Sequence, residues 1–135
     1  MTSVLFDSNV VIALSIAEHE HHQRASRWFQ GVAEAALCPI TEGALMRFLV
    51  RTGIPARSVV ALIQALHDDP RIRFIADDLS HRTLDVDHVI GHRQVTDCYL
   101  AALATSHDAR LATLDVALHT ALPDSTLLIP ELPDS

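Results

Sequence analysis

The strongest constraint on the fold is a regular alternation of short apolar runs with longer amphipathic segments along the 135-residue chain. Runs of three or four mostly apolar residues match buried strands, and the segments between them carry apolar residues at helical spacing. We predict strands at residues 4–6, 36–38, 72–75, 111–114 and 126–129. Because strands that alternate with helices pair in parallel, the pattern predicts an α/β fold, with a short central parallel sheet and helices on both faces.

The segments between these strands define the helices and the domain. We predict helices at residues 9–16, 23–34, 42–51, 56–67, 97–106 and 116–121. Residues 77–92 are charged and ambiguous, and we predict a helix and then a loop, with Gly91 as the break. A chain of this size suits one domain with a sizeable core. We therefore expect a single domain over residues 1–135, with a frayed tail at 130–135.

Four acidic residues lie where the predicted elements meet. Asp7 follows the first strand, and Asp115 follows the fourth. Glu42 and Asp97 each follow a threonine that opens a predicted helix. In an α/β fold, the carboxyl ends of strands and the amino ends of helices meet at one edge of the sheet. We therefore expect the four carboxylates to converge at that edge.

Each acid also has an ordinary structural explanation when it is taken alone. Asp7 and Asp115 could cap the helices that follow them, and Glu42 and Asp97 could complement a helix dipole. Together, four carboxylates would repel one another strongly unless cations lay between them. A set of oxygen ligands suits a hard divalent ion, so we predict Mg²⁺, with Mn²⁺ able to substitute.

Polar side chains beside these acids could support such a site. Ser8 and Thr113 could cap the backbone or hold metal-bound water, and Asn9 could orient a carboxylate or a water. Divalent ions shield the charge of a phosphodiester, lower the pKa of bound water and stabilise the leaving oxygen. The pattern therefore predicts phosphodiester hydrolysis by metal-activated water, without a serine, cysteine or histidine nucleophile.

The charge balance limits how the chain can bind nucleic acid. Its formal net charge is -7 at pH 7, and all ten basic residues are arginine. Bulk attraction to nucleic acid is therefore unsuited to this chain, and any contact must be local. The lack of lysine excludes a phosphate-binding loop, which needs Gly-Lys-Ser/Thr. It also argues against receiver domains and haloacid-dehalogenase phosphatases, which place an aspartate after the first strand but use a lysine as well.

Cysteine usage and the apolar runs bear on the compartment. Cys38 and Cys98 are the only cysteines and lack metal-ligand spacing, so we expect buried, reduced thiols. No apolar run reaches about 18 residues, and the N-terminus lacks a basic region. We therefore expect a cytoplasmic protein without a membrane span. His19, His21 and His22 could bind Zn²⁺ or Ni²⁺, but a solvated loop or helix start is favoured because no cysteine or fourth ligand is evident nearby.

With these motifs in order, the chain resembles the PIN-domain ribonucleases, and specifically the toxins of VapBC toxin–antitoxin pairs. The resemblance covers essentially the whole chain and rests on segments 6–9, 41–42, 91–97 and 111–115. It implies an α/β sandwich, RNA cleavage with Mg²⁺ or Mn²⁺, a homodimer, and a small VapB-like antitoxin that binds and silences the toxin. It also implies that Asp7, Glu42, Asp97 and Asp115 are the catalytic and metal-binding acids, with Asn9 and Thr113 as polar support.

Contacts with the RNA and the antitoxin are less specific on sequence alone. Arg47 and Arg93 lie near the predicted acids and could hold a phosphate, or could simply be solvated. Trp28 and Phe29 suit core or dimer contacts better than base stacking. The apolar faces of the helices near 45–50 and 59–66 could form a groove for an antitoxin segment, or could be ordinary core.

Two other functions stay open. One is a catalytically silent PIN-like module that binds RNA or protein, which the intact set of four acids argues against. The other is a metal-dependent enzyme that acts on DNA or on small phosphoesters. The RNA target, the number of metal ions and the dimer interface do not follow from the sequence.

Overall fold

Five strands form one parallel sheet in the computed structural model, which describes residues 3–134. They are β1 (Ser3–Phe6), β2 (Ala35–Leu37), β3 (Ile72–Phe74), β4 (Ala109–Thr113) and β5 (Thr126–Leu128). Their order across the sheet is β3-β2-β1-β4-β5, and every neighbouring pair is parallel. The chain order reverses beside β1. Open α/β sheets bind ligands at such a reversal, outside the carboxyl ends of the strands.

Six helices cover the sheet on both faces. They are α1 (Ser8–Ser15), α2 (His22–Gln30), α3 (Pro39–Arg51), α4 (Ala56–Asp68), α5 (Arg93–Ser106) and α6 (Val116–Ala121). In β1, Val4 and Phe6 join a core cluster with residues of α1, α3 and α4, whereas Leu5 joins a second cluster with residues of α5 and α6. This alternation is the two-residue period of a strand buried on both faces. The predicted architecture is therefore confirmed.

Several predicted boundaries were wrong, among them the starts of two helices. α3 begins at Pro39 rather than at Glu42, because proline fits the first turn of a helix. Thr41 lies within this first turn, where its hydroxyl accepts from the backbone N–H of Cys38 at 3.2 Å. Similarly, α5 begins at Arg93, four residues before Asp97.

Two other segments contain less helix than predicted. Residues 77–92 form only a short 3-10 turn, His81–Thr83, and otherwise run as loop. α2 ends at Gln30 instead of continuing to residue 34, because the chain turns at Gly31. In the described part of the chain, no helix is long and apolar enough to cross a membrane.

The expected burial of several side chains is observed. Cys38 and Cys98 are buried free thiols. Trp28 and Phe29 pack edge-on against Phe6, with ring centroids 6.2 and 5.5 Å from it, so they belong to the packing around the core. Of the tail that we predicted to be frayed, residues 130–134 carry neither helix nor strand, and Ser135 lies outside the described residues.

Candidate active site

Asp7 lies at the carboxyl end of β1, at the reversal of the strand order. It caps α1: its Oδ1 accepts from the backbone N–H of Ser8 at 2.7 Å. Its Oδ2 accepts from the hydroxyl of Thr113 at 2.8 Å. Only 4% of Asp7 is exposed, and this burial raises the pKa of its carboxyl, with a further increase from the charge of Asp115. The two hydrogen bonds oppose the shift because they favour the carboxylate.

Asp115 is joined to Asp7 through the end of β4. Its backbone N–H donates to the Thr113 hydroxyl oxygen at 3.1 Å, and the same hydroxyl donates to Asp7. The Asp115 carboxylate caps α6 by accepting from the N–H of Leu118 at 3.1 Å. The predicted capping role and the predicted place beside the first acid are therefore both found, and Thr113 is the link between the two strand ends.

Asp97 completes a cluster of three carboxylates from the second turn of α5. Burial, together with the charges of Asp7 and Asp115, raises the pKa of its carboxyl to about 6. Since charges act strongly on a pKa only at short range, the three side chains share one electrostatic site. We refer to Asp7, Asp97 and Asp115 as the aspartate cluster.

A small cavity of about 110 Å³ opens beside the aspartate cluster. Asp97 and Asp115 line it together with Gln94 and His88. The Nε2 atom of His88 is buried and has no hydrogen-bond partner within the described residues. Leaving a buried polar atom without a partner costs free energy. Our sequence interpretation missed His88, because nothing in a single sequence distinguishes it within the ambiguous loop 77–92.

Glu42 does not join the aspartate cluster. Its Oε2 accepts from Nε2 of His67, near the end of α4, at 2.5 Å. The two side chains are 20% and 24% exposed. The charge of Glu42 is not among the causes that shift the pKa of Asp7 or Asp97. The structure thus brings together three of the four predicted acids, and a metal-binding role for Glu42 stays a prediction.

Of the remaining predicted residues, Ser8 contacts the aspartate cluster through its backbone, and no hydrogen bond to the cluster is found for Asn9, Arg47 or Arg93 among residues 3–134. Ser8 contributes its backbone N–H, and Asn9 is exposed on the first turn of α1. Arg47 on α3 and Arg93 at the start of α5 are both exposed. Their predicted roles in supporting the acids or in contacting RNA stay predictions.

The histidines before α2 are engaged in local contacts. His19 Nδ1 accepts from the backbone N–H of His21 at 3.0 Å, and His22 Nδ1 donates to the carbonyl of Ala13 at 2.8 Å. These contacts fit the helix-start interpretation of the three histidines.

The aspartate cluster has the chemistry of a divalent-cation site. Its donors are carboxylate oxygens that disfavour one another's charge, so a hard cation would relieve their repulsion. The thiols of the chain lie elsewhere, in the core. Within residues 3–134, no three His, Cys, Asp or Glu side chains are already arranged as a set of metal ligands. The residue types therefore fit Mg²⁺ or Mn²⁺, and the side chains would have to draw closer on binding.

Comparison with known proteins gives the same family as the motifs. A family model described as the PIN domain matches residues 4–121. The chain therefore belongs to the PIN-domain family. Ribonuclease VapC29 of Mycobacterium tuberculosis is 47% identical over 129 residues, which are 95% of this chain and 97% of the relative. Ribonuclease VapC38 of the same organism is 35% identical over 126 residues, which are 86% of this chain and 87% of the relative.

Solved structures show the same fold at low sequence identity. The crystal structure of Mycobacterium tuberculosis VapC20, a Sarcin-Ricin loop cleaving toxin, aligns with a TM-score of 0.67 at 16% identity. That alignment covers 88% of this chain and 95% of VapC20. VapBC2 from Rickettsia felis, bound to a DNA fragment from its promoter, aligns with a TM-score of 0.64 at 15% identity, covering 94% and 97%. The predicted resemblance to VapC-type PIN domains is confirmed.

Proposed function

We propose that this protein is a metal-dependent endoribonuclease and the toxin of a type II toxin–antitoxin pair. The observation that carries the proposal is the convergence of Asp7, Asp97 and Asp115 at the reversal of strand order in a PIN domain. Relatives that align over nearly the whole chain are named ribonucleases, which supports RNA as the substrate class.

In this proposal, the metal ion and the acidic residues have separate roles in the hydrolysis. When bound, Mg²⁺ or Mn²⁺ would shield the phosphodiester charge and lower the pKa of a water molecule. Thr113 and the N–H of Ser8 hold the Asp7 carboxylate in a fixed orientation. Asp97 and Asp115 offer the neighbouring oxygens across the small cavity. Glu42 has one oxygen, Oε2, occupied by its hydrogen bond with His67, so a role in metal binding would use its other oxygen or require this bond to break.

We also propose a VapB-like antitoxin as the partner that silences the site. An apolar groove of about 690 Å³ runs between the end of α1 and helices α3 and α4, with Ile16, Phe48 and Leu62 among its lining residues. This groove supports the proposed place for an amphipathic antitoxin segment. The homodimer that the resemblance implies stays a proposal as well.

The direct test is cleavage of single-stranded RNA by wild type and by Asp97→Asn in Mg²⁺. The amide cannot offer an anionic oxygen, so we expect the rate to fall by about 100-fold or more while the fold is kept. Asp124→Asn, in the exposed turn before β5, is the matched control and should cleave at the wild-type rate.

The substrate comparison separates the alternatives. Single-stranded DNA and a chromogenic phosphodiester are assayed beside the RNA. A preference for DNA or for the small ester would replace the ribonuclease assignment. Metal binding without cleavage of any of the three would favour the silent binding module.

A further inference from the structure

A second and larger cavity lies on the other side of Asp97 from the small one. Its volume is about 390 Å³, and it lies between the first turns of α3 and α5 and the 3-10 turn at 81–83. Ile40, Arg47, His81, Thr96 and Tyr99 are among its lining residues. Thr96 immediately precedes Asp97, and consecutive Cα atoms are about 3.8 Å apart. Asp97 itself lines the small cavity and not this one, so the two cavities flank the start of α5.

One wall of this cavity is a supported flat ring. His81 stacks on Tyr99, with ring centroids 4.6 Å apart and an angle of 22° between the ring planes. Tyr99 is a core residue with only 3% of its surface exposed, whereas His81 is exposed. The imidazole is thus backed by the core on one face and open on the other. A ring presented in this way can stack with any of the four bases, because every base has a π face.

A nucleotide also carries a phosphate, and Arg47 supplies a positive charge in the same cavity. Its guanidinium folds back along α3 over Gly43, where an added Cβ would lie 3.4 Å from Nη1. Arg47 forms no ion pair among residues 3–134, as is also true of Arg57, and what distinguishes Arg47 is its place in the wall of this cavity. An exposed, unpaired guanidinium is suited to bidentate contact with a phosphate.

We infer that this cavity is a nucleotide subsite for single-stranded RNA. One unpaired base stacks on His81 and its phosphate binds Arg47, while the RNA strand continues past the start of α5 to the aspartate cluster. The inference deepens the proposed function and rests on it for the identity of the nucleic acid. It also explains how a chain with a net charge of -7 can bind RNA through a local contact.

Binding can be measured apart from cleavage. The Asp97→Asn protein in Mg²⁺ is titrated into a short fluorescein-labelled single-stranded RNA of mixed sequence, and anisotropy is recorded at several salt concentrations. In this background, Arg47→Gln should weaken binding about tenfold and lower the salt dependence by about one released ion. His81→Ala should weaken binding about tenfold through the lost stacking, and His81→Phe should restore it to within about twofold.

Two controls keep the result interpretable. Arg57→Gln removes an exposed arginine from the start of α4, away from the cavity, and should leave binding nearly unchanged. Thermal melting of each variant reports whether the loss of the His81 ring disturbs Tyr99 in the core.

The outcomes separate this inference from the proposed function. Unchanged RNA affinity in both Arg47→Gln and His81→Ala, or no measurable binding by the parent protein, overturns the subsite. If the wild-type protein cleaves RNA but neither Arg47→Gln nor His81→Ala changes the RNA affinity, only the subsite is contradicted. If affinity falls as expected but wild type cleaves no RNA, the subsite stands and the proposed nuclease activity fails.

Discussion

At the scale of single residues, the carboxylates of the aspartate cluster differ in how well hydrogen bonds stabilise their charge. Asp7 is almost fully buried but accepts two hydrogen bonds, from Ser8 and Thr113. The pKa of Asp97 is raised by burial and by two neighbouring charges, and no hydrogen bond is among the causes of this shift. The unrelieved repulsion is therefore concentrated at Asp97, where a bound cation would have its largest effect.

This imbalance predicts how the stability of the metal-free protein depends on pH. The pKa of Asp97 is about 6 in the folded protein, against about 4 in an unfolded chain. Between these values the folded state binds more protons, so the free energy of unfolding should fall as pH rises from about 4 to above 6. Because Asp97 is only partly buried, we expect a loss on the order of 1 kcal/mol.

Urea unfolding in EDTA, repeated across this pH range, measures the effect. The difference between wild type and Asp97→Asn isolates it, since other titrating groups are shared by both proteins. A difference that stays constant from pH 4 to pH 7 would contradict the electrostatic account of Asp97.

Sequence reasoning succeeded for residues whose position follows from the end of a strand. Asp7, Thr113 and Asp115 were predicted to lie together because parallel strands end at a common edge, and the hydroxyl of Thr113 does bridge the two strand ends. The hydrogen bond between Glu42 and His67 was not predictable. It depends on how α4 packs against α3, and their sequence separation of 25 residues gives no periodic signal.

At the scale of elements, the C-terminal segment is attached to α2 by one arginine. Arg24 is 7% exposed, and its Nε donates to the carbonyl of Pro130 at 3.0 Å. Its Nη2 donates to the carbonyl of Ile129, and its Nη1 lies 3.3 Å from the carboxylate of Glu131. A short segment without regular structure is thereby held against a helix at its first residues.

We expect Arg24→Met to lower the free energy of unfolding by about 2 kcal/mol, because hydrogen bonds to a charged donor are lost and carbonyl groups are left without partners. Arg27→Met, an exposed arginine on the same helix, should change it by less than about 0.5 kcal/mol. Urea denaturation of both variants gives the comparison. Equal stabilities would mean that the Arg24 contacts contribute little in solution.

The elements themselves were predictable to different degrees. All five strands were located to within two residues at each end, because short apolar runs between polar turns leave few alternatives. The loop at 77–92 was not predicted correctly, because its charged composition fits a surface helix as well as a loop. That loop supplies His81 and His88, which line the two cavities beside α5, and the sequence singled out neither of them.

At the scale of the whole molecule, topology assembles the site from distant parts of the chain. Asp7 and Asp115 are separated by more than one hundred residues, yet β1 and β4 are neighbours with paired registers from Ser3 to Phe6 and from Ala109 to Ala112. α5 then crosses beneath the same strands and carries Asp97 to the same edge. One folded chain therefore brings three of the four predicted acids to one edge of the sheet, and a chain that cleaves RNA with these acids would need an inhibitor partner.

This arrangement predicts toxicity that depends on the site. Induced expression of the wild-type chain alone, in its own host stripped of any partner gene, should arrest growth, and co-expression of its cognate small protein should restore growth. Asp7→Asn should be harmless while remaining folded and soluble. Plating efficiency measures all three. A folded, soluble wild-type protein that leaves growth unchanged would contradict the toxin role and leave the nuclease proposal standing.

The central claim is that the aspartate cluster cleaves RNA through a divalent metal ion. The most direct measurement is the rate of single-stranded RNA cleavage by the wild-type protein, first in excess EDTA and then during titration with Mg²⁺ or Mn²⁺. We predict no cleavage above background in EDTA and full recovery of the rate as the metal ion is restored. Cleavage that continues at an undiminished rate in excess EDTA would contradict the account.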